Sequence, residues 1–184
     1  MITSTIKGFA LSFETDPANF SPRFVDKGTL AMLSCVEFSP GDKVLDLGCG
    51  YGAVGILAAK FTAPENVFMT DVNKTAVRYA GRNAALNEVG GVHIIQSDGY
   101  KNLDETGFTL ILCNPPYHTD FSVAKTFIEK GFNRLTIGGK FFMVTKRKEW
   151  YKNKFIAIFG GVRIYEKDGY YIFEAEKRGW RYGG

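Results

Sequence analysis

The sequence predicts a Rossmann-like, doubly wound α/β fold: a seven-stranded, mostly parallel sheet with helices on both faces and one antiparallel strand from a C-terminal hairpin. Three observations carry this expectation. From Asp42 onward, short apolar runs alternate with stretches that repeat apolar residues at helical spacing. Runs such as Leu110-Ile111-Leu112-Cys113 lack polar alternation, as strands covered on both faces do. Near the end, Asp168-Gly169 joins two β-prone segments, a strong hairpin signal that makes one of them antiparallel to its neighbour.

Each element follows in turn. Phe9, Leu11 and Phe13 alternate, so 6–15 reads as a strand or small hairpin bent near Gly8. Residues 16–23 hold two prolines and several turn formers and read as loop. A helix is expected over 25–37, with Leu30, Leu33 and Val36 on one face, and this lead-in should lie over a ligand pocket. The core then reads as strand 43–48, helix 53–61, strand 66–71, helix 74–87, strand 92–97, strand 108–113, helix 121–135, strand 140–145 and helix 147–159. Strands 161–167 and 170–177 form the closing hairpin, and 179–184 reads as a loose tail.

With 184 residues, 45% of them apolar, the chain suits a single domain with a real core, a lead-in over 1–41 followed by the core proper over 42–178. No apolar run reaches the roughly 18 residues of a membrane helix, and the first residues lack a signal-peptide hydrophobic region, so a cytoplasmic protein without membrane contact is expected. Cys35, Cys49 and Cys113 share no metal-ligand spacing and read as small buried thiols; no metal is expected. Charge is uneven. Residues 1–100 hold 8 Lys or Arg against 10 Asp or Glu, whereas 101–184 hold 15 against 9, which makes the second half the candidate surface for a polyanion. An ordinary solvated face would look the same.

The stretch 43–52 is an apolar run that ends in Asp46 and then in Gly48, Gly50 and Gly52 on alternate positions. Glycines there let the backbone take positive φ and approach a ligand closely. The spacing also satisfies a dinucleotide fingerprint, but Asp46 would repel a pyrophosphate and attract a cation. S-adenosylmethionine, a sulfonium without phosphate, is therefore the expected cofactor. Asp71 ends the second core strand, 25 residues after Asp46, where a carboxylate can accept ribose hydroxyls. Asp98 closes the third strand and can accept from an adenine amino group. Val72 and Gly99 beside these acids, and Cys49 within the glycine loop, complete the cofactor set. A helix cap at Asp71 and a plain Asp-Gly turn at Asp98 are the structural alternatives.

The fourth core strand ends in Asn114-Pro115-Pro116-Tyr117-His118. Two prolines stop the ladder and stiffen the loop. The Asn114 side-chain oxygen and the Pro115 carbonyl can each take one hydrogen from a planar NH2, leaving the nitrogen lone pair for a methyl group, while Tyr117 stacks on the plane. Such a transfer needs positioning more than a strong base. His118 reads as a phosphate contact or proton relay, or as an ordinary loop histidine.

At these residues the chain resembles a class I S-adenosylmethionine-dependent methyltransferase. The glycine loop resembles that family's cofactor loop, and Asn114 to Tyr117 resembles its motif for methylating planar amino nitrogens. More narrowly, residues 20–29 and the histidine after the motif resemble the small-domain methyltransferases, which include ribosomal RNA guanine-N2 methyltransferases. The resemblance implies that Asp26, Gly28 and Thr29 lie against the methionine end of the cofactor; a helix N-terminus with an acid is the other reading. It also implies a substrate amine on an RNA base, guanine N2 of ribosomal RNA first. Members acting on ribosomal RNA often carry a second copy of the domain, so here RNA affinity must come from one domain or from a homodimer. Lys146, Arg147 and Lys148, followed by Trp150, Tyr151, Lys152 and Lys154, interleave cations and aromatics in a way that suits RNA with a splayed base, or a basic surface helix that buries Trp150. A protein glutamine amide or adenine N6 would present the same planar NH2. An oxidoreductase at the glycine loop and an RNA-binding assembly factor without chemistry are the readings from other classes.

Overall fold

The computed structural model describes residues 1–18, 23–116 and 120–183. A hairpin of β1 (Ile2–Ile6) and β2 (Phe9–Phe13) opens the chain, followed by α1 (Lys27–Cys35), β3 (Val44–Leu47), α2 (Ala53–Ala58), β4 (Val67–Asp71), α3 (Lys74–Leu86), β5 (His93–Gln96), β6 (Phe108–Cys113), α4 (Phe121–Arg134), β7 (Leu135–Thr145), α5 (Glu149–Phe159), β8 (Arg163–Lys167) and β9 (Tyr170–Glu176). The main sheet runs β5-β4-β3-β6-β7-β9-β8. Pairing is parallel from β5 to β7, and β9 is antiparallel to both β7 and β8. One strand of seven is thus reversed, as the hairpin required. It is inserted rather than terminal: the α5 crossover carries β8 one place beyond β7, and the hairpin return fills the gap.

Both faces of the sheet are covered, which explains the unbroken apolar runs. Successive residues divide between two cores: Val44, Leu112, Phe142 and Ile172 join α1, α2, α3 and the hairpin, whereas Leu45, Ile111, Phe141 and Phe173 join α4 and α5. Among the described residues no helix is long and apolar enough to cross a membrane.

Three segments depart from expectation. β1 begins at Ile2, because the opening hairpin turns at Lys7-Gly8 and pairs Ile2 with Phe13. β7 starts at Leu135 instead of 140, with the register slipping between Phe108 and Leu110. Its glycines mark that irregularity: Gly138 has φ 86°, and a Cβ on Gly139 would stand 2.7 Å from the Phe108 carbonyl oxygen. The tail is docked, not loose. The Tyr182 ring sits 4.9 Å from that of Phe132, its hydroxyl meets Asn133 Nδ2 and the Glu129 carbonyl, and the Gly183 N–H donates to Ile158 at 2.7 Å.

The lead-in is fastened by two amides, Asn83 on α3 and Asn87 at its C-terminal cap. Asn87 Oδ1 accepts from the Ser12 N–H at 3.0 Å and its Nδ2 donates to the Ser12 carbonyl at 2.7 Å. Asn83 does the same to Glu14 at 2.7 and 2.9 Å, and also donates to the Tyr51 carbonyl at 2.9 Å. One helical turn therefore completes the outer edge of β2 as a strand would, satisfying backbone groups that would otherwise be orphaned beside the buried Leu11 and Phe13. Replacing the fully buried Asn83 by Ala should lower stability in urea unfolding by about 2–4 kcal/mol, since three hydrogen bonds vanish together.

Candidate active site

A cleft of about 440 Å³ opens beyond the carboxyl ends of β3, β4, β5 and β6, within the usual size range of small-ligand pockets. Its floor is the glycine loop. Gly48 and Cys49 both donate N–H to the Thr70 carbonyl at 2.8 Å, tying the loop to β4. Gly48, at φ 74°, faces open space where a Cβ would stand, so ligand atoms can approach the backbone there. Gly52 serves packing instead: at φ 104° it begins α2, and a Cβ would lie 2.9 Å from Met69 Cε.

Asp71 lines the cleft with its carboxylate aimed by the backbone. Oδ2 accepts from the Gly50 N–H and Oδ1 from the Asn73 N–H, both at 2.9 Å, and each oxygen retains acceptor capacity for a ligand hydroxyl. The helix cap is Asn73, which accepts from the Thr75 N–H at 2.8 Å. Val72, Asp98 and Gly99 line the same cleft, and Asp98 also holds Lys101 Nζ at 2.9 Å.

Asp46 is placed differently from the sequence reading. It is 3% exposed, lies outside the cleft lining and accepts the Gly55 N–H at 2.8 Å, fastening β3 to α2. Burial pushes its pKa from 3.8 up to about 7; the Gly55 hydrogen bond opposes the shift and the Asp71 charge adds to it. Cys49 also stays out of the lining, its thiol pushed up by burial and by the charges of Asp46 and Asp71.

Asn114, Pro115 and Pro116 form the opposite wall. Asn114 Nδ2 donates to Asp26 Oδ2 at 2.9 Å and to Thr29 Oγ1 at 3.0 Å. Its Oδ1 is buried and, among the described residues, has no hydrogen-bond partner. An orphaned acceptor at a cleft wall is a place for a donor that a ligand brings. Tyr117 and His118 fall outside the described residues. Asp26 and Thr29 do not line the cleft; they build the N-terminus of α1, where Asp26 Oδ2 caps the Thr29 N–H at 2.9 Å. Gly28 between them is a packing residue, since a Cβ would come within 2.8 Å of Tyr170 Cε1.

The basic triplet is exposed and lies beside, not in, the cleft. Lys146 Nζ stands 5.0 Å over the Tyr170 ring, Arg147 Cζ 5.2 Å over Phe121 and Lys148 Nζ 5.8 Å over Tyr171. Trp150 stacks on Phe121 at 4.4 Å, which is the packing role weighed above. Six cleft residues escaped the sequence reading: Leu47, Thr70, Asn73, Ser97, Val123 and Phe127. Thr70, whose buried Oγ1 also has no partner among the described residues, carried a signal as a strand-end hydroxyl next to Asp71, whereas Val123 and Phe127 look like ordinary core positions of α4. Among the described residues no group of three or more His, Cys, Asp or Glu could hold a metal ion.

Comparison with known proteins settles the family. A sequence profile described as the methyltransferase small domain matches residues 10–174. The chain belongs to the small-domain methyltransferase family. S-adenosylmethionine is the donor, as the resemblance implied. YbxB of Bacillus subtilis is 33% identical over 172 residues, covering 90% of this chain and 86% of that protein. Ribosomal RNA small subunit methyltransferase C of Serratia proteamaculans is 31% identical over 86% of this chain but only 46% of its own length. Among solved structures, the Thermus thermophilus 16S rRNA N2 G1207 methyltransferase, in complex with AdoMet and guanosine, superposes with a TM-score of 0.86 at 28% identity, over 96% of this chain and 50% of that one. The chain therefore spans about half the length of these named ribosomal RNA methyltransferases.

The raised pKa of Asp46 sets a pH dependence of stability. Between about 3.8 and about 7 the unfolded chain has released this proton and the folded chain has not, so stability from this group is full at low pH, falls as pH rises through that window, and stays flat above it. Asp46→Asn keeps an acceptor for Gly55 without the buried charge. Its unfolding free energy in urea titrations should gain on that of the original protein as pH rises from 4 to 8, by at most a few kcal/mol at about 1.4 kcal/mol per pKa unit.

Proposed function

We propose that this methyltransferase acts on the exocyclic amine of a base in RNA, with guanine N2 of ribosomal RNA as the first substrate to test. The observation that carries the reading is Asn114 Oδ1, a buried acceptor on a residue of the cleft wall that has no donor among the described residues. Only a hydrogen-bond donor satisfies it, and leaving it unpaired is costly.

The residues present fit the donor. Gly48 leaves open space beside the backbone, Asp71 offers two aimed carboxylate oxygens, and Val72 and Phe127 give apolar walls. When bound, S-adenosylmethionine supplies an electrophilic methyl group. Asn114 Oδ1 takes one hydrogen of the acceptor amine and the Pro115 carbonyl is the proposed partner for the other. Held at both hydrogens, the nitrogen presents its lone pair out of the plane of the base. No strong base is required, because the amine becomes acidic as its new bond forms. The stiffness of the two prolines keeps both acceptors in place.

The RNA reading is supported by the basic second half and by the place of Lys146. It covers Tyr170, the ring that packs against Gly28 at the start of α1, so Lys146, the first cation of the triplet, adjoins the element that holds Asn114. They suit a phosphate backbone that delivers a flipped or unpaired base. A homodimer is the proposed source of further RNA contact, and the cytoplasm the proposed location.

Incubation with methyl-labelled cofactor and RNA from cells lacking the protein, then digestion to nucleosides, should yield N2-methylguanosine. Label found in protein alone would overturn the RNA assignment in favour of an amide substrate. Asn114→Ala should lower the rate by about 10²-fold or more while RNA affinity holds. Joint replacement of Lys146, Arg147 and Lys148 by Ala should instead weaken RNA binding and flatten its salt dependence.

A further inference from the structure

We infer that Asp26 and Thr29 are positioning residues: they hold the Asn114 amide in the one orientation that turns its oxygen toward the acceptor amine. The inference rests on the role proposed for Asn114. An amide side chain has two faces of nearly equal shape, one a double donor and the other an acceptor, and a half-turn exchanges them. Here both Nδ2 hydrogens are committed, to Asp26 Oδ2 at 2.9 Å and to Thr29 Oγ1 at 3.0 Å. A half-turn would set Oδ1 against a carboxylate oxygen, which has no hydrogen to give, and would present two donors to a substrate that is itself a donor. The carboxylate therefore decides which way the amide points.

The clamp is rigid for reasons found on α1. Asp26 Oδ2 is simultaneously the helix cap, accepting the Thr29 N–H at 2.9 Å, so the acid cannot swing away without uncapping the helix. Gly28 lets that first turn close on Tyr170, to a distance at which no side chain would fit. Charge adds a chemical effect. An anionic oxygen on the amide nitrogen draws its electrons toward Oδ1, which makes that oxygen a better acceptor for the amine. Among the described residues that line the cleft, Asn114 is the one that both Asp26 and Thr29 hold.

Thr29→Val removes one acceptor at nearly constant volume and keeps the backbone N–H that Asp26 caps. Asp26→Ser keeps a capping oxygen on a side chain too short for Asn114, and Thr29→Ser restores the hydroxyl. Single-turnover rates on the RNA described above, affinity for S-adenosylhomocysteine by calorimetry, and the nitrogen-correlated proton signals of the Asn114 side chain are to be measured on the full chain. Thr29→Val and Asp26→Ser should slow the transfer about 10- to 100-fold with cofactor-product affinity within about twofold, and should shift and deprotect the Asn114 amide protons; Thr29→Ser should recover both. Loss of S-adenosylhomocysteine affinity in step with rate would make these residues cofactor contacts and overturn the inference, as would amide signals unchanged in Thr29→Val. If the unaltered protein methylates no RNA, the proposed substrate falls, while the amide signals still decide whether the clamp exists.

Discussion

The site exists because the sheet changes its direction of growth between β3 and β6. β4 and β5 are added on one side of β3, while β6 and β7 are added on the other. The chain leaving β3 enters α2 on one face, and the chain leaving β6 enters α4 on the opposite face, so no connection covers the ground between them. Register then brings two distant motifs together. Leu47 pairs with Cys113, and the next residues along each strand are Gly48 and Asn114. The floor of the cleft and its opposite wall each begin at the first position past a paired strand end.

Much of this was legible because the informative residues sit at strand ends, where sequence and position coincide. Gly48, Asp71, Asp98 and Asn114 each follow or finish an apolar run, and all four line the cleft. Asp46 was misplaced because it lies inside its strand. Its neighbours Leu45 and Leu47 face α4 and α5, so strand alternation turns Asp46 toward α2 and away from the opening. Phe127 gave no sign, since a helical phenylalanine that walls a cleft has the same spacing as one that fills a core. The clamp on Asn114 was beyond reach for another reason: it joins residues 88 and 85 positions apart, and no local pattern encodes such a meeting. At β7 the expected strand began five residues late, and the glycines before 140 mark an irregular register that the pairing tolerates.

Charge is distributed to match the division of labour. The acidic first half supplies Asp71 and Asp98 to the cleft and Asp26 to the amide of the wall residue Asn114, a setting that favours a cation. The basic second half supplies the triplet after β7. Those cations lie over aromatic rings, so their stems cover apolar surface while their charges meet solvent. Phe121, beneath Arg147, stacks on Trp150, so the aromatics of this stretch pack while its cations stay at the surface.

The amides of Asn83 and Asn87 have a consequence for the ribosome-bound chain. Their partners Ser12 and Glu14 lie 69 to 75 residues earlier, and Leu11 and Phe13 are wholly buried only once that helix is in place. During synthesis the opening hairpin thus emerges long before its cover does, with one edge unpaired and two large apolar side chains wet. Closure of this lead-in on Asn83 and Asn87 requires that α3 has already been made.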